Sequence, residues 1–357
     1  MAIVDKSTDH FNTLLYSGNG SSGHAITGVG FAPNMVWMKR RDSTPNHYLW
    51  DTIRGPEKAV QPNENYAQGI YNTNGLTAFG SDGFTVGSDG DVNAGNMVSW
   101  NWKAATSFSN NAGANGATIA STGRINTDAG FSIISWTGNG SNAAKIAHGL
   151  GSTPGMVITK RLNSTGDWQI GGASVNTARG GENSLLLLNT TAAMDSNSEV
   201  YQTFDSNTFQ VGVNASINAN GGTLISYCFA EKNGFSKFGT YTGNGSTNGP
   251  FSYTGFKPAF IIYKGSSGSG AADNWEQHDN KRDPLNPMES VIYPNLSNAE
   301  SDPASTTDRL DMLSNGFKMR TSSGDYNNSG TKYFFIAFAE NPFVTSTDNG
   351  SIPGMAK

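Results

Sequence analysis

The chain has 357 residues, of which 36% are hydrophobic and 14% charged, with 44 glycines and a formal net charge of -5 at pH 7. This composition is typical of a globular protein with many turns and few long helices. The net negative charge offers no basic surface for phosphates, which argues against a nucleic-acid partner. We find neither a signal peptide nor about 18 consecutive apolar residues, so we expect synthesis in the cytoplasm and no membrane insertion.

A short sequence phrase recurs three times along the chain. Residues 16–21, 136–141 and 241–246 read Tyr-Ser-Gly-Asn-Gly-Ser, Trp-Thr-Gly-Asn-Gly-Ser and Tyr-Thr-Gly-Asn-Gly-Ser. A repeat of roughly 100 residues is long enough to bury its own core, so the pattern predicts an internal triplication. We place the three modules at residues 1–105, 130–232 and 233–357, with a linker at residues 106–129.

Each module is expected to consist of short β-strands. Apolar runs at residues 35–39, 156–160 and 260–264 each follow a proline, and strands are also predicted at 14–16, 48–53, 84–87 and 184–188. The closing segments alternate large apolar and other residues, as a half-buried strand does; the matching sets are Val98, Trp100 and Trp102, then Ile225, Tyr227 and Phe229, then Phe334, Ile336 and Phe338. The predicted fold is all-β, with one β-sandwich per module and the Gly-Asn-Gly-Ser phrase as a backbone-determined turn.

The arrangement of the modules is less clearly encoded. Residues 104–129 are rich in Ala, Ser, Asn, Gly and Thr, which is typical of a flexible or lightly structured linker. This segment favours a string of beads. A compact pseudo-trimer over a three-fold position is the alternative.

Motifs for bound groups are weak. Gly18-x-Gly20-x-x-Gly23 resembles a dinucleotide fingerprint, but no helical pattern follows it. Asp89-x-Asp91-x-Asn93 resembles the start of a calcium loop, but alanine stands where that loop requires glycine. Neither the five histidines nor the lone cysteine, Cys228, supplies a zinc site. We predict no catalytic residue, cofactor or metal, and therefore no enzyme.

Two sets of side chains nevertheless qualify as candidates. Carboxylates could pair as the acids of a glycosidase; the set comprises Asp51, Glu57, Glu182, Glu276 and Asp283. One tryptophan per module, at Trp50, Trp168 and Trp275, could stack on a sugar or contact a partner, although burial in the core of each sandwich is the more common role.

The end of each apolar run carries a lysine. Lys39, Lys160 and Lys264 occupy this place in the three modules. Long charged side chains at strand ends usually keep their ammonium groups in water, so we expect solvated strand ends.

The first module resembles a repeat found in structural proteins of tailed bacteriophages, especially those of marine hosts. The resemblance rests on Tyr16-x-Gly-Asn-Gly, on residues 26–33 and 36–42, on Asp51-x-x-Arg54-Gly55, on residues 81–86 and on Trp100-Asn-Trp-Lys-Ala. It is strong over residues 9–105 and looser over 130–231 and 234–340, where much of the Asp-x-x-Arg-Gly segment is lost.

The resemblance implies a virion protein built from lectin-like, jelly-roll β-sandwiches. Expected partners are other virion proteins of the tail or capsid and a host surface glycan, with several copies or a homo-oligomer in the particle. The first expectation is a tail-fibre or other host-attachment component, the second a capsid decoration protein. A polysaccharide hydrolase is the third.

Overall fold

The computed structural model describes residues 4, 6–70, 74–268, 272–301 and 308–342. The ends of the first and third predicted modules, including residues 343–357, lie outside this range. Antiparallel sheets dominate the described chain, so the all-β prediction is confirmed. In the described part of the chain, no helix is both long and apolar enough to cross a lipid bilayer.

The first module contains nine strands in two main sheets and one small ribbon. The strands are β1 (Phe11–Asn19), β2 (His24–Thr27), β3 (Met35–Arg40), β4 (Tyr48–Asp51), β5 (Lys58–Ala59), β6 (Gly69–Ile70), β7 (Leu76–Gly80), β8 (Gly83–Val86) and β9 (Ala94–Trp102), preceded by a 3-10 turn at Ser7–Asp9. The larger sheet has the order β1-β9-β3-β4 and the smaller β2-β8-β7, while β5 pairs with β6.

The second module has the largest sheet. Two strands precede it, β10 (Thr106–Asn110) and β11 (Ser121–Asn126), with a 3-10 turn at Ala114–Gly116 between them. It continues with β12 (Phe131–Thr137), β13 (Ala144–Ala147), β14 (Met156–Arg161), β15 (Gln169–Gly171), α1 (Ala173–Arg179), β16 (Ser184–Leu187), β17 (Asp195–Ser196), β18 (Tyr201–Phe204), β19 (Thr208–Val211), α2 (Ala215–Asn218) and β20 (Thr223–Phe229). The sheets have the orders β10-β11-β12-β20-β14-β15-β16-β17 and β13-β19-β18.

The third module repeats the plan of the first. Its elements are β21 (Ser236–Thr242), β22 (Phe251–Tyr253), β23 (Phe256–Ser267), β24 (Glu276–Asp279), β25 (Leu310–Leu313), β26 (Gly316–Met319), α3 (Gly324–Asn327) and β27 (Lys332–Pro342). The sheets are β21-β27-β23-β24 and β22-β26-β25. The same strand order therefore occurs three times, although the triplication itself stays an interpretation of the sequence.

Residues 106–129, predicted as a linker, contain ordered structure. Strand β11 pairs with β12 from Ser121 to Asn126, and β10 pairs with β11. Ala104 and Ala129 at the two ends are both buried. The prediction of a flexible linker is wrong, because alternating small polar residues satisfied their backbone groups by extending the neighbouring sheet.

Two kinds of core stabilise the modules. Between its large and small sheets, each module has an apolar cluster of its own. The other faces of the three large sheets pack together in one central core. Because both faces of β9 are covered, Met97, Ser99 and Asn101 are buried as well as Val98, Trp100 and Trp102. The closing strands are thus fully buried instead of half-buried.

Three equivalent aromatic rings meet in the central core. Sheet register pairs Trp102 with Met35, Phe229 with Met156 and Phe338 with Phe260, so the first member of each pair occupies the same place in its module. Their ring centroids are 6.5 Å (Trp102 to Phe229), 5.8 Å (Trp102 to Phe338) and 5.9 Å (Phe229 to Phe338) apart. The modules therefore form a ring around a shared core, and the string of beads is wrong.

Candidate functional site

The three tryptophans predicted as contact residues lie inside the protein. Trp50, Trp168 and Trp275 each expose 0% of their surface. Trp50 packs in the first module's own core, whereas the other two belong to the central core. None can present its ring to a sugar or a partner chain, so the contact role is contradicted. The more common role, burial in a core, is the one the structure shows, although Trp168 and Trp275 lie in the shared core instead of that of their own sandwich.

The tryptophans also do not occupy one equivalent position. Val36 pairs with Trp50, whereas the equivalent strand residues Val157 and Ile261 pair with Gly171 and His278. By the same register, Trp168 and Trp275 correspond to His47. Trp50 therefore lies three residues beyond the position that Trp168 and Trp275 share, although the three residues match by type.

His47, Trp168 and Trp275 link the modules into a closed ring. The ring N–H of His47 in the first module donates to Tyr293 O in the third, at 3.1 Å. Trp275 Nε1 in the third module donates to Leu187 O in the second, at 2.8 Å. Trp168 Nε1 in the second donates to Gln61 O in the first, at 2.9 Å. Equivalent contacts between successive units that return to the first unit define a cyclic arrangement.

Each of these three residues is held by an asparagine of its own module. Their backbone N–H groups donate to the Oδ1 atoms of Asn63, Asn189 and Asn295, at 2.8, 2.9 and 2.9 Å. His47 also accepts a hydrogen bond from Trp37 Nε1 at its Nδ1 atom. Burial, reinforced by nearby Lys39, lowers the pKa of His47 well below its usual value, which keeps this ring neutral.

The lysines predicted as solvated strand ends are buried instead. Lys39, Lys160 and Lys264 each expose 0% of their surface. Lys160 Nζ donates to Asn65 O of the first module at 3.1 Å and to Gly166 O at 2.6 Å. Lys264 Nζ of the third module likewise donates to Thr191 O of the second module, at 3.1 Å.

The positive charges of these three ammonium groups are poorly compensated by negative charges around them. They donate hydrogen bonds to backbone carbonyls, and burial lowers the pKa of each lysine to about 8. No sequence pattern distinguished them from surface lysines. Lys160 and Lys264 are each held in part by a carbonyl of another module, whereas Lys39 donates to Arg40 O and Ser43 O of its own module.

Two of the three module boundaries contain a buried ion pair. Asp51 Oδ2 accepts a hydrogen bond from Arg54 Nε at 2.5 Å and one from Tyr227 OH of the second module at 2.7 Å. Asp279 Oδ2 accepts from Arg282 Nε at 2.5 Å and from Trp100 Nε1 of the first module at 3.0 Å.

Tyr227 and Trp100 occupy equivalent positions, so the two ion pairs are equivalent as well. The third module therefore retains, in Asp279 and Arg282, the Asp-x-x-Arg pattern that was expected to be lost. The boundary between the second and third modules differs. There Gly172 occupies the place of Asp51 and Asp279, as the register of β14 and β15 requires, and the arginine position holds Val175, which is buried. Helix α1 packs there against β21, β23 and β27.

The Gly-Asn-Gly-Ser phrase forms the same exposed turn in every module. The second glycines, Gly20, Gly140 and Gly245, have φ of 68°, 68° and 66°, which favours glycine. A Cβ on Gly18 would lie 2.1 Å from Ala94 N. The predicted backbone role of the phrase is therefore supported by its geometry.

A buried asparagine anchors each turn. Asn218 donates from Nδ2 to Ser141 O and Gly212 O, both at 2.8 Å, and accepts from Asn139 N at 3.0 Å. Asn93 and Asn327 make the corresponding bonds in the other modules. These residues were missed by sequence reasoning because they lie some 75 to 85 residues from the turns they hold.

We expect Asn218→Ala to lower the free energy of unfolding by at least about 2 kcal/mol, because it removes the partner of several polar groups at once. Urea denaturation of the two proteins measures the difference. Asn142→Ala, on the exposed part of the same turn, is the matched control and should change stability by less than about 0.5 kcal/mol. Equal losses in the two variants would contradict the anchoring role.

The three turns lie far from the aromatic triangle. In β1, Phe11 pairs with Trp102 beside the aromatic triangle, whereas Asn19 at the other end carries the turn. Eight residues of extended strand separate these points by roughly 27 Å. The equivalent strands of the other two modules, β12 and β21, likewise carry their turns at the end remote from the triangle.

The candidate hydrolase carboxylates have structural roles or lie apart. Asp51 is ion-paired with Arg54, and Asp283 Oδ2 accepts from Glu289 N and Ser290 N. Glu57 and Glu182 belong to loops of the first and second modules. Burial, with Asp325 nearby, raises the pKa of Glu276 well above its usual value.

The residues of the calcium-like loop are also internally engaged. Asp91 Oδ2 accepts from Tyr48 OH at 2.6 Å, Asp89 Oδ1 accepts from Asp91 N at 2.9 Å, and Asn93 holds the first turn. Among the described residues, no group of three or more metal-binding side chains is found.

A family model matches residues 6–342, a range that includes every strand of the three modules. The chain belongs to the DUF7483 family. The family is described as a domain of unknown function. Comparisons with curated proteins and with solved structures found no match.

Cavities of this DUF7483 chain differ in character. A cavity of about 30 Å³ in the central core is lined by apolar side chains of all three modules, including Trp37, Trp168 and Trp275. An open groove of about 500 Å³ on the third module is lined by Lys257, Asp283 and other residues. The central cavity belongs to the core, so contacts with other molecules must use the outer surface.

Proposed function

We propose that this DUF7483 protein is a non-enzymatic structural component of a tailed-phage particle, exposed at its surface and acting in host attachment as a tail-fibre or tail-associated protein. The proposal draws on the resemblance of residues 9–105 to phage structural repeats. It draws as well on the way the chain uses its polar side chains, since two of the buried lysines, Lys160 and Lys264, and the two Asp-Arg pairs join modules together.

The observation that carries the proposal is the ring of three modules, each with an equivalent exposed turn. A ring with a common core is rigid, and equivalent surfaces on it can contact a repetitive target simultaneously. Several weak contacts then combine into tight attachment without a deep pocket on any module. A repeated glycan or protein on a host cell is such a target.

The same geometry favours a second candidate, capsid decoration. One chain with pseudo-three-fold symmetry matches a three-fold position of a capsid lattice, where each module would meet an equivalent surface. In that role the end carrying the aromatic triangle or the end carrying the turns would face the capsid.

Imaging the intact particle at subnanometre resolution, with an antibody against this chain as a label, tests both functions. We expect three-lobed density on the tail or its appendages. Regular density over the capsid lattice would replace attachment with decoration. If purified particles do not contain the chain, the assignment as a structural component is overturned.

A further inference from the structure

Within the described part of the chain, the outer edge of the small sheet in the third module is uncovered, and it carries aromatic side chains. Strand β22 is the edge strand of the order β22-β26-β25. Phe251 and Tyr253 expose 46% and 62% of their surface, whereas Ser252 between them faces the core and exposes 6%.

The backbone of β22 offers hydrogen bonds at this edge. Met319 N donates to Pro250 O at 3.1 Å, and Thr254 N donates to Asn315 O at 3.0 Å. Because hydrogen-bonded positions alternate in an antiparallel pair, residues 250, 252 and 254 face β26. The backbone groups of Phe251 and Tyr253 therefore point away from the sheet.

The second module shows what covers this edge. Its strand β13 is equivalent to β22, since Ile146 and Ser252 each pair with the matching phenylalanine, Phe209 or Phe317. Lys145 and Ala147 thus correspond to Phe251 and Tyr253. The extended segment 118–121 lies along β13.

The contacts of that segment use the outward backbone groups. Thr118 N and Ile119 N donate to Lys145 O at 2.9 and 3.1 Å, and Lys145 N donates to Thr118 Oγ1 at 2.8 Å. Ser121 Oγ donates to Ala147 O at 2.9 Å. Ile119 bridges Ile146 in parallel orientation. The covering segment reads Thr-Ile-Ala-Ser, without charge.

The side chains of β22 are unusual for an open edge. Exposed edges usually carry charges that prevent pairing with other chains. Here the covered strand carries the charge, at Lys145, and the uncovered one carries two aromatic rings. The corresponding edge positions of the first module hold Ala25 and Thr27, so only the third module offers aromatic contact area.

We propose that β22 binds an extended, uncharged segment of another protein chain, which adds to the small sheet as a parallel strand and packs apolar side chains on Phe251 and Tyr253. A second copy of this chain fits less well, because two identical edges related by a two-fold axis pair antiparallel, whereas segment 118–121 runs parallel. The inference goes beyond the proposed function and does not depend on it.

Selection from a library of linear heptapeptides on the isolated protein provides the test. We expect uncharged peptides rich in Val, Ile and Thr. Binding should weaken at least about tenfold in the double variant Phe251→Lys with Tyr253→Ala, which reproduces the side chains of the second module. In a strand pairing, every second peptide N–H faces β22. N-methylation of those positions should abolish binding, and N-methylation of the positions between them should spare it. Tyr66→Ala, which removes an exposed tyrosine of the first module, is the control and should bind as the native chain does.

Four results would overturn the proposal. The first is that the double variant keeps its melting temperature and still binds every selected peptide as the native chain does. Another is glycan-array binding that the double variant loses. Dimerisation abolished by the double variant would make a second copy the occupant, and peptide binding only after removal of residues 343–357 would make it the chain's own end.

Discussion

Replacing Arg282 with alanine is expected to lower the free energy of unfolding by about 3–5 kcal/mol, as removal of one partner of a buried ion pair does. The Arg282 side chain is fully buried and donates to Asp279 Oδ2 at 2.5 Å and Glu300 Oε1 at 2.7 Å. Its Nη2 also donates to Gln277 O at 3.0 Å. Without the guanidinium, the buried Asp279 loses its cation, and Glu300 at the boundary between the third and first modules keeps only Arg41.

Urea denaturation measures the effect, and two other arginines calibrate it. Arg41 contacts the same Glu300 at 2.7 Å, but 22% of its side chain is exposed, so Arg41→Ala should cost about 1 kcal/mol or less. Arg54→Ala removes the equivalent buried pair of the first module and should resemble Arg282→Ala. A loss at Arg282 no larger than that at Arg41 would show that the buried network does not hold the boundary.

Raising the pH from about 8 towards 10 is expected to stabilise the protein. Burial lowers the pKa of Lys39, Lys160 and Lys264 to about 8, from 10.5. Between these values the unfolded chain binds protons that the folded chain has lost, so the free energy of unfolding rises with pH. Each lysine contributes a slope of up to about 1.4 kcal/mol per pH unit. Below pH 8 both states are protonated and this contribution is absent.

Other buried groups oppose the rise at higher pH. Burial raises the pKa of the Cys228 thiol to about 12, and it raises the pKa of Tyr16, Tyr201 and Tyr263 above the usual value of 10.0. These groups ionise first in the unfolded chain, Cys228 from about pH 9 and the tyrosines from about pH 10, and so favour unfolding. Stability should therefore pass through a maximum near pH 10.

The lysine contribution can be isolated by substitution. Denaturation curves of Lys160→Met between pH 7 and 10 should show about one third less of the rise than the native chain. Lys39→Met and Lys264→Met should do the same, because the three lysines occupy equivalent sites. An unchanged slope in all three variants would mean that these ammonium groups keep their ordinary pKa in the folded protein.

Local signals in the sequence predicted the strands well. The alternation at Val98, Trp100 and Trp102 and the run at residues 35–39 correspond to β9 and β3. The Gly-Asn-Gly-Ser turns were likewise recognised, because a positive φ and an Asx turn depend on adjacent residues. Predictions of this kind need only a short stretch of chain.

Predictions that required distant partners were wrong. The tryptophans were aligned by residue type, but Trp50 pairs with Val36 whereas Trp168 is equivalent to His47. Lys160 looked like a surface residue, although Asn65 O, 95 residues away, holds it in the interior. A segment rich in small polar residues, 106–129, became two strands because a sheet edge was available to it.

The sequence alone therefore determined that the chain is all-β and that its turn-bearing units recur, because both features follow from side-chain period and backbone preference over a few residues. Only the tertiary structure decided that the modules form a ring, that three lysines are buried, that two of them and two Asp-Arg pairs bond across module boundaries, and that β22 is left open among the described residues. Those features depend on contacts between residues far apart in the chain. Such contacts form when apolar sheet faces leave water together, and no local pattern records which face meets which.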